Sequence, residues 1–135
     1  MTAAALAAIF LATTNALSLP SGLLSSVCFV ESHHDVAAVV ANDGGSSSVG
    51  VCQMKLATAK MLGFQGTLEQ LKSPKMNVKY AGRYLRYQLN RYDGDTIKAI
   101  AAYNSGTHML NRKGLPVNYR YVQAVLAAWE DTSGQ

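Results

Sequence analysis

The sequence contains no lysine or arginine before Lys55, and its first arginine is Arg83. A secretory signal peptide begins with a positively charged region, so this absence argues against one. The apolar stretch at residues 3–12 is also too short to cross a bilayer. We therefore expect residues 1–18 to form a hydrophobic first helix of the domain, with a signal peptide as the less favoured alternative.

Charged residues are scarce, at 15% of the chain, and acidic residues are outnumbered, with 8 Asp and Glu against 12 Lys and Arg. The resulting net charge of +4 favours adsorption to acidic polymers, which include nucleic acid, anionic lipid and the bacterial cell wall. However, no basic cluster alternates with aromatic residues along a helix, as nucleic-acid recognition requires. Nucleic acid is therefore not an expected partner.

Only two cysteines are present, Cys28 and Cys52, and their separation matches no metal-ligand spacing such as C-x-x-C. The adjacent His33 and His34 point to different sides of a helix, and no third ligand follows at a useful spacing. The sequence therefore predicts no metal site and no cofactor, with both histidines on the solvated surface. Two small buried thiols are the expected state of the cysteines, and a disulfide, which implies an oxidising compartment, is the alternative.

The apolar spacing is helical throughout, and strand-like alternation is absent from the sequence. Ser18 and Pro20 predict the start of a helix that ends soon after residues 33–35, and the Gly and Ser content of residues 42–48 predicts a loop. Four further helices are predicted: residues 51–62 with a stop at Gly63, a helix from Ser73-Pro74 to the Asp93-Gly94 turn, a short helix capped by Asp95, and residues 118–130. With 135 residues and neither linker nor repeat, the chain is expected to be one all-α or mainly α domain over residues 1–135.

Glu31 is a carboxylate placed where the apolar stripe of a helix should continue. Leu23, Leu24, Val27 and Cys28 lead to it at helical spacing. Burying an ionised carboxylate without a partner is heavily penalised, so the group either finds hydrogen bonds or stays protonated with a raised pKa. A protonated glutamate is a general acid. We therefore predict that Glu31 donates a proton to a leaving group.

Four short motifs follow one another along the chain: Glu31-Ser32, SVGVCQ at residues 48–53, AYNSG at residues 102–106 and NYRYV at residues 118–122. Together they resemble the soluble lytic transglycosylase (SLT) catalytic domain, a lysozyme-like family that cuts the glycan of peptidoglycan. Each motif alone is weak, but four in the family's order are specific, and the resemblance covers roughly residues 19–129. It implies a lysozyme-like fold and action on the bacterial cell wall.

The resemblance also implies roles for individual residues. Glu31 would protonate the leaving sugar oxygen while the substrate's N-acetyl group stabilises the glycosyl centre. As a base it would then deprotonate the muramic acid C6 hydroxyl, which closes a 1,6-anhydro ring. The residues that would position the acid are Tyr121 and Ser32. The residues that would contact substrate are Ser48, Gln53, Tyr103 and Asn104.

Structural roles stay open as alternatives for most of these residues. Tyr121 can be a core aromatic that exposes its hydroxyl, Gln53 can brace its loop, and Asn104 can terminate a helix. Gly50 is better explained by backbone geometry than by contact with substrate.

Two other functions compete with the lytic transglycosylase. One is a hydrolytic lysozyme on the same fold, in which Asp35 or Asp43 directs water to the glycosyl centre. The other is a non-catalytic peptidoglycan-binding or assembly module that kept the cleft. The lack of an export signal favours a bacteriophage protein, either associated with the virion or released to the wall, with virion components as candidate protein partners.

Overall fold

The computed structural model describes residues 1–133, in which helices dominate and a small antiparallel sheet has the strand order β1-β2-β3. The helices are α1 (Ala3–Ala16), α2 (Leu23–Ser32), α3 (Leu56–Met61), α4 (Leu68–Leu71), α5 (Pro74–Arg91), α6 (Thr96–Ser105) and α7 (Tyr119–Ser133). The strands are β1 (Val39–Asp43), β2 (Ser46–Val49) and β3 (Met54–Lys55). The mainly helical fold predicted from the sequence is therefore confirmed.

The two helices with the clearest capping signals begin where the sequence predicts. The Ser73 hydroxyl accepts a hydrogen bond of 3.2 Å from the backbone N–H of Met76, and Pro74 occupies the first turn of α5. At α6, the Asp95 carboxylate accepts a 3.1 Å hydrogen bond from the backbone N–H of Lys98. Local hydrogen bonds fix the first residues of α5 and α6, so both helix starts can be predicted from the sequence.

The predicted start of α2 at Ser18 and Pro20 is wrong, because Gly22 is the residue that precedes the helix. Gly22 has a φ of +79°, which glycine adopts without steric cost. A Cβ at this position would lie 2.8 Å from Cγ2 of Thr132 in α7. The positive φ and the packing against α7 therefore both require glycine at the position that precedes α2.

Residues 42–48 form a β-hairpin rather than the predicted loop. β1 pairs antiparallel with β2 in a register that places Val39 opposite Val49, and the turn at Gly44 and Gly45 has positive φ at both glycines. All five residues of β1 are exposed, so the strand carries no apolar alternation that a sequence pattern can reveal. The predicted helix over residues 51–62 is likewise shorter, since β3 precedes α3.

A disulfide joins Cys28 of α2 to Cys52 in the turn before β3, with the two Cα atoms 4.3 Å apart. The expectation of two free thiols is therefore wrong, and the disulfide that was the alternative is present. Both cysteines are fully buried. The bond ties the helix that carries Glu31 to the segment that carries Gln53.

The N-terminal segment is helical, as expected, and α1 packs against α5 and α2 with Leu6, Phe10 and Thr14 buried. Gly82 in α5 permits the close approach, because a Cβ there would lie 2.6 Å from Cγ2 of Thr13. In the stretch from residue 1 to residue 133, none of the helices combines the length and apolar character that a bilayer crossing needs. Whether residues 1–18 are removed as a signal peptide stays a prediction, as does the extent of the domain.

Candidate active site

Glu31 lies in the last turn of α2, just before the helix ends. His33 and His34 follow with φ of +56° and +61°, a left-handed conformation that stops the helix. Because α2 packs along α7, the hydroxyl of Tyr121 reaches Glu31 and donates a hydrogen bond of 2.7 Å to its Oε2. The acid is thereby fixed between two helices that are remote in sequence.

The environment of Glu31 raises the pKa of its carboxyl from 4.5 to about 7. Burial is the largest cause, because it removes water from around the charged form. The Tyr121 hydrogen bond acts in the opposite direction, and the negative charge of Asp43 raises the pKa further. Near neutral pH, the protonated and ionised forms of Glu31 are therefore both populated.

Two tyrosines near Glu31, the buried Tyr103 and the partly buried Tyr121, remain protonated donors. Burial and the proximity of Glu31 raise the pKa of Tyr121 and of Tyr103 well above the ordinary value. The Tyr103 hydroxyl donates a 2.9 Å hydrogen bond to the carbonyl of Cys52, and its ring lies 5.1 Å from that of Tyr84. Tyr103 thus braces the turn next to Gln53 in addition to forming part of the cleft wall.

Glu31 opens onto a cleft of about 260 Å³ between the sheet, α6 and the start of α3. Its lining residues are Glu31, Asp43, Ser48, Gln53, Met54, Lys55, Thr58, Tyr84, Tyr103, Asn104, Ser105 and Gly106. All four residues that were predicted to contact substrate are among them. Three separate motifs of the sequence therefore converge on one cavity.

Ser32 and Gln53 are engaged with the backbone. The Ser32 hydroxyl donates a 2.6 Å hydrogen bond to the carbonyl of Val51, which ties the end of α2 to the following turn rather than to the Glu31 carboxyl. The side-chain amide of Gln53 donates to the carbonyls of Ala38 and Gly50, at 3.1 and 2.9 Å. The bracing role that was left open for Gln53 is thus present while the residue also lines the cleft.

Asn104 and Ser48 also have partners within the protein. The Asn104 side-chain carbonyl accepts a 3.1 Å hydrogen bond from the amide of Asn118. Ser48 donates a 2.7 Å hydrogen bond to Oδ2 of Asp43. Both residues are therefore held in fixed positions on the cleft wall.

The two carboxylates considered for a water-directing role lie in different places. Asp43 lines the cleft and acts electrostatically on Glu31. Asp35 accepts a 2.9 Å hydrogen bond from the backbone N–H of Ala37 and borders a separate cavity near the start of α1. Of the two, only Asp43 shares a cavity with the acid.

Asn77 is a supporting residue that the sequence patterns did not assign to the site. It is fully buried, its Oδ1 accepts from the backbone N–H of Cys52 at 2.8 Å, and its Nδ2 donates to the carbonyls of Val49 and Leu71. Gly50 must be glycine beside it, since φ is +81° and a Cβ would lie 2.3 Å from Asn77 Nδ2. A polar residue on the buried face of α5 is the signal that could have identified it.

His33 is exposed, as predicted, but His34 is not simply a solvated residue. The His34 ring is half-buried, with Nε2 2.8 Å from the carbonyl oxygen of Ser25 and ring contacts to Phe10 and Phe29. Among the residues the structure describes, no three His, Cys, Asp or Glu side chains are grouped as metal ligands. The absence of a cofactor stays a prediction.

Comparisons with known proteins give three findings. Residues 8–120 match the model of the family described as Transglycosylase SLT domain. Protein IpgF of Shigella flexneri and protein IpgF of Shigella sonnei are each 32% identical over 98 residues, which make up 71% of this chain and 64% of theirs. The chain therefore matches less than two thirds of the length of these relatives.

The third finding is structural. The X-ray structure of an inactive glutamate-to-glutamine mutant of lytic transglycosylase Slt from Pseudomonas aeruginosa superposes with a TM-score of 0.78. The sequence identity is 20%, and the match covers 94% of this chain and 24% of that one. The likeness establishes that the two share a fold.

Proposed function

We propose that this chain, which belongs to the transglycosylase SLT domain family, is a peptidoglycan lytic transglycosylase. In this proposal Glu31 acts first as acid and then as base. The observation that carries the proposal is the Glu31 carboxyl in the cleft, bonded to Tyr121 and with a pKa raised to about 7. A group that titrates near neutrality can both give and take a proton at that pH. One residue can therefore serve both halves of the reaction.

In the first half, Glu31 transfers its proton to the oxygen of the β-1,4 bond between N-acetylmuramic acid and N-acetylglucosamine. The bond from C1 of muramic acid to that oxygen breaks, and the N-acetyl carbonyl of the same sugar stabilises the positive centre at C1. The arriving proton neutralises the leaving alkoxide. Glu31 is left as a carboxylate, which Tyr121 stabilises through its hydrogen bond.

In the second half, the Glu31 carboxylate takes the proton of the muramic acid C6 hydroxyl. The oxygen attacks C1 and closes a 1,6-anhydro ring, so no water is consumed and Glu31 regains its proton. Because nucleophile and electrophile belong to one sugar, the step benefits from proximity. The reaction is formally that of a lyase.

The other cleft residues supply positioning and contact. Tyr121 holds and tunes the acid, while Ser32 fixes the end of the helix that carries it. The side-chain carbonyl of Gln53 and the side-chain N–H groups of Asn104 can match sugar hydroxyl and N-acetyl groups, and Ser48 and Tyr103 complete the walls. We assign these roles as part of the proposal.

The disulfide favours action outside a reducing cytoplasm, because such bonds persist in oxidising compartments such as the periplasm. This agrees with a substrate in the bacterial cell wall. The origin of the protein in a bacteriophage stays a prediction.

Mass spectrometry of the soluble products of purified peptidoglycan tests the proposal. We expect muropeptides that end in 1,6-anhydro-muramic acid and are lighter by one water than reducing-end products. Reducing ends would instead indicate a hydrolase and overturn the lyase assignment.

A hydrolytic lysozyme is the second candidate function, and one observation favours it. Asp43 lines the same cleft as Glu31 and raises its pKa, so a second carboxylate is available to direct water. A non-catalytic wall-binding module remains as a third candidate, and substitution of Glu31 separates it from both enzymes.

A further inference from the structure

Among the described residues that line the cleft, Lys55 is the only one with a cationic side chain. It belongs to β3 and is half-buried. The one ion pair found within residues 1–133 joins Lys72 to Glu69, so Lys55 has no carboxylate partner in this part of the chain. Glu31 and Asp43 line the same cleft, but neither carboxylate lies within ion-pair distance of the Lys55 ammonium.

The position of the ammonium is nonetheless fixed. Its Nζ donates to the backbone carbonyl of Asp43. It also lies over the turn between β1 and β2, since a Cβ built on Gly44 would be 3.3 Å from Nζ. One of three N–H donors is used in this contact, and two remain for an external acceptor. A donor that is already held in place loses little conformational freedom when it binds a ligand.

A neutral sugar chain does not account for this cation. Hydroxyl and N-acetyl groups can be matched by uncharged groups of the same cleft, such as the side-chain carbonyl of Gln53 and the side-chain N–H groups of Asn104. An ammonium gains most from an ionised acceptor, because charge-assisted hydrogen bonds are roughly twice as strong as neutral ones. The muramic acid of peptidoglycan differs from the neighbouring sugar by a lactyl carboxyl group, which is either free or extended by a peptide that carries its own carboxylates.

We propose that Lys55 binds a carboxylate of the substrate and so makes the cleft select anionic glycan. The proposal rests on the proposed function, since it names the part of peptidoglycan that this cleft recognises. Two sources share the chemistry: the free lactyl carboxylate of peptide-free glycan and the carboxylates of the stem peptide. The test has separate arms for the two.

The experiment measures dissociation constants by calorimetry in a Glu31→Gln background, so that no glycan is consumed during the measurement. Three soluble glycans are compared: peptide-free strands with free lactyl carboxylates, the same strands with these groups converted to methylamides, and strands that carry stem peptides. Adding Lys55→Met is expected to weaken binding about tenfold for the strand that bears the recognised carboxylate. No effect of the substitution is expected on the methylamide strand.

Two further variants serve as controls for charge and position. Lys55→Arg keeps the charge and is expected to bind the anionic strand within about threefold of the parent. Lys98→Met removes the same charge from an exposed position near the start of α6, away from the end of this helix that lines the cleft. This substitution is expected to leave all the dissociation constants unchanged. The arm that responds to Lys55→Met identifies the source of the carboxylate.

Three results would overturn the proposal. If Lys55→Met weakens binding of all three strands equally, Lys55 only braces the turn, and if Lys98→Met weakens binding as much, the effect is one of bulk charge. The third result is that Lys55→Met weakens binding of no strand. Absence of binding to every strand would overturn it together with the proposed function. If Lys55-dependent binding is found but the unmodified chain forms no anhydro products, the proposed function fails while carboxylate recognition stands.

Discussion

The phenol of Tyr121 and the carboxyl of Glu31 meet at 2.7 Å, although 90 residues of sequence separate them. Tyr121 lies in the first turn of α7 and Glu31 in the last turn of α2, so the contact depends on the packing of these two helices. The donor stabilises the ionised form of the acid, while burial opposes ionisation more strongly. The result is a carboxyl that titrates near neutral pH.

Replacing Glu31 by glutamine should abolish turnover and preserve binding of glycan. The amide keeps the shape but cannot transfer a proton, and loss of a positioned acid costs about 10²- to 10⁴-fold in rate. Release of anhydro-muropeptides is the measurement, with Glu69→Gln, an exposed carboxyl on α4, as matched control. Wall clearance that survives the change would rule out Glu31 as the acid.

Tyr121→Phe should raise the pKa of Glu31 above about 7, because the lost hydrogen bond is the contribution that lowers it. Activity that needs protonated Glu31 falls as the pH rises through this pKa, so the alkaline limb of kcat/KM should move to higher pH. The maximal rate should fall about tenfold, since the acid is less precisely held. A limb displaced to lower pH would contradict the role given to Tyr121.

Asp43→Asn should shift the same limb in the opposite direction. Removing the neighbouring negative charge lowers the pKa of Glu31, since that charge is one of the causes that raise it. Under the transglycosylase proposal, the products should remain 1,6-anhydro sugars. Asp35→Asn, outside the cleft, should change neither the profile nor the products. Loss of reducing-end products upon the Asp43 substitution would instead support the hydrolytic lysozyme.

The free energy of unfolding should depend on pH through Glu31. Its pKa is about 7 in the folded protein and 4.5 in the reference state, so the folded state binds the proton more tightly. The stabilisation is complete below pH 4.5 and is lost as the pH rises through 7. Between pH 5 and pH 8 the loss amounts to about 2 kcal/mol.

Urea denaturation of the unmodified chain and of Glu31→Gln at both pH values measures this loss. Glutamine does not titrate, so the variant should gain stability relative to the unmodified chain as the pH rises. Parallel curves for the two proteins would show that Glu31 has an ordinary pKa.

Replacing both Cys28 and Cys52 by serine should lower the free energy of unfolding by about 3 kcal/mol, because the bond closes a loop with a sequence separation of 24. The single variants should lose a similar amount. Thermal denaturation with and without a thiol reductant provides the check, and the double variant serves as the control that reductant leaves unchanged. Insensitivity of the unmodified chain to the reductant would indicate free thiols.

Local features made part of this structure predictable. Ser73 and Asp95 cap their helices through hydrogen bonds to the next turn, and the chemistry of both caps is contained in a few consecutive residues. Glu31 was recognisable because it interrupts an apolar stripe at helical spacing. These features need no knowledge of distant packing.

The remaining features depend on contacts between distant segments. Gly22, which precedes α2, lies against Thr132 of α7, and Cys52, which is bonded to Cys28, is also held by a hydrogen bond to Asn77. β1 is solvated along its whole length, so no buried alternation marks it. The sequence does not indicate that Lys55 lies in the cleft, because the residues around it come from distant segments.

The docking of α7 on α2 also sets an order of events during synthesis. Glu31 leaves the ribosome 90 residues before Tyr121, which belongs to α7. A nascent chain that has not yet reached α7 carries the carboxyl without its phenol, and the wall of protein that buries the acid is incomplete. Under the proposed function, the acid is therefore tuned for proton transfer only when α7 packs on α2, and a product that terminates before α7 keeps Glu31 but lacks Tyr121.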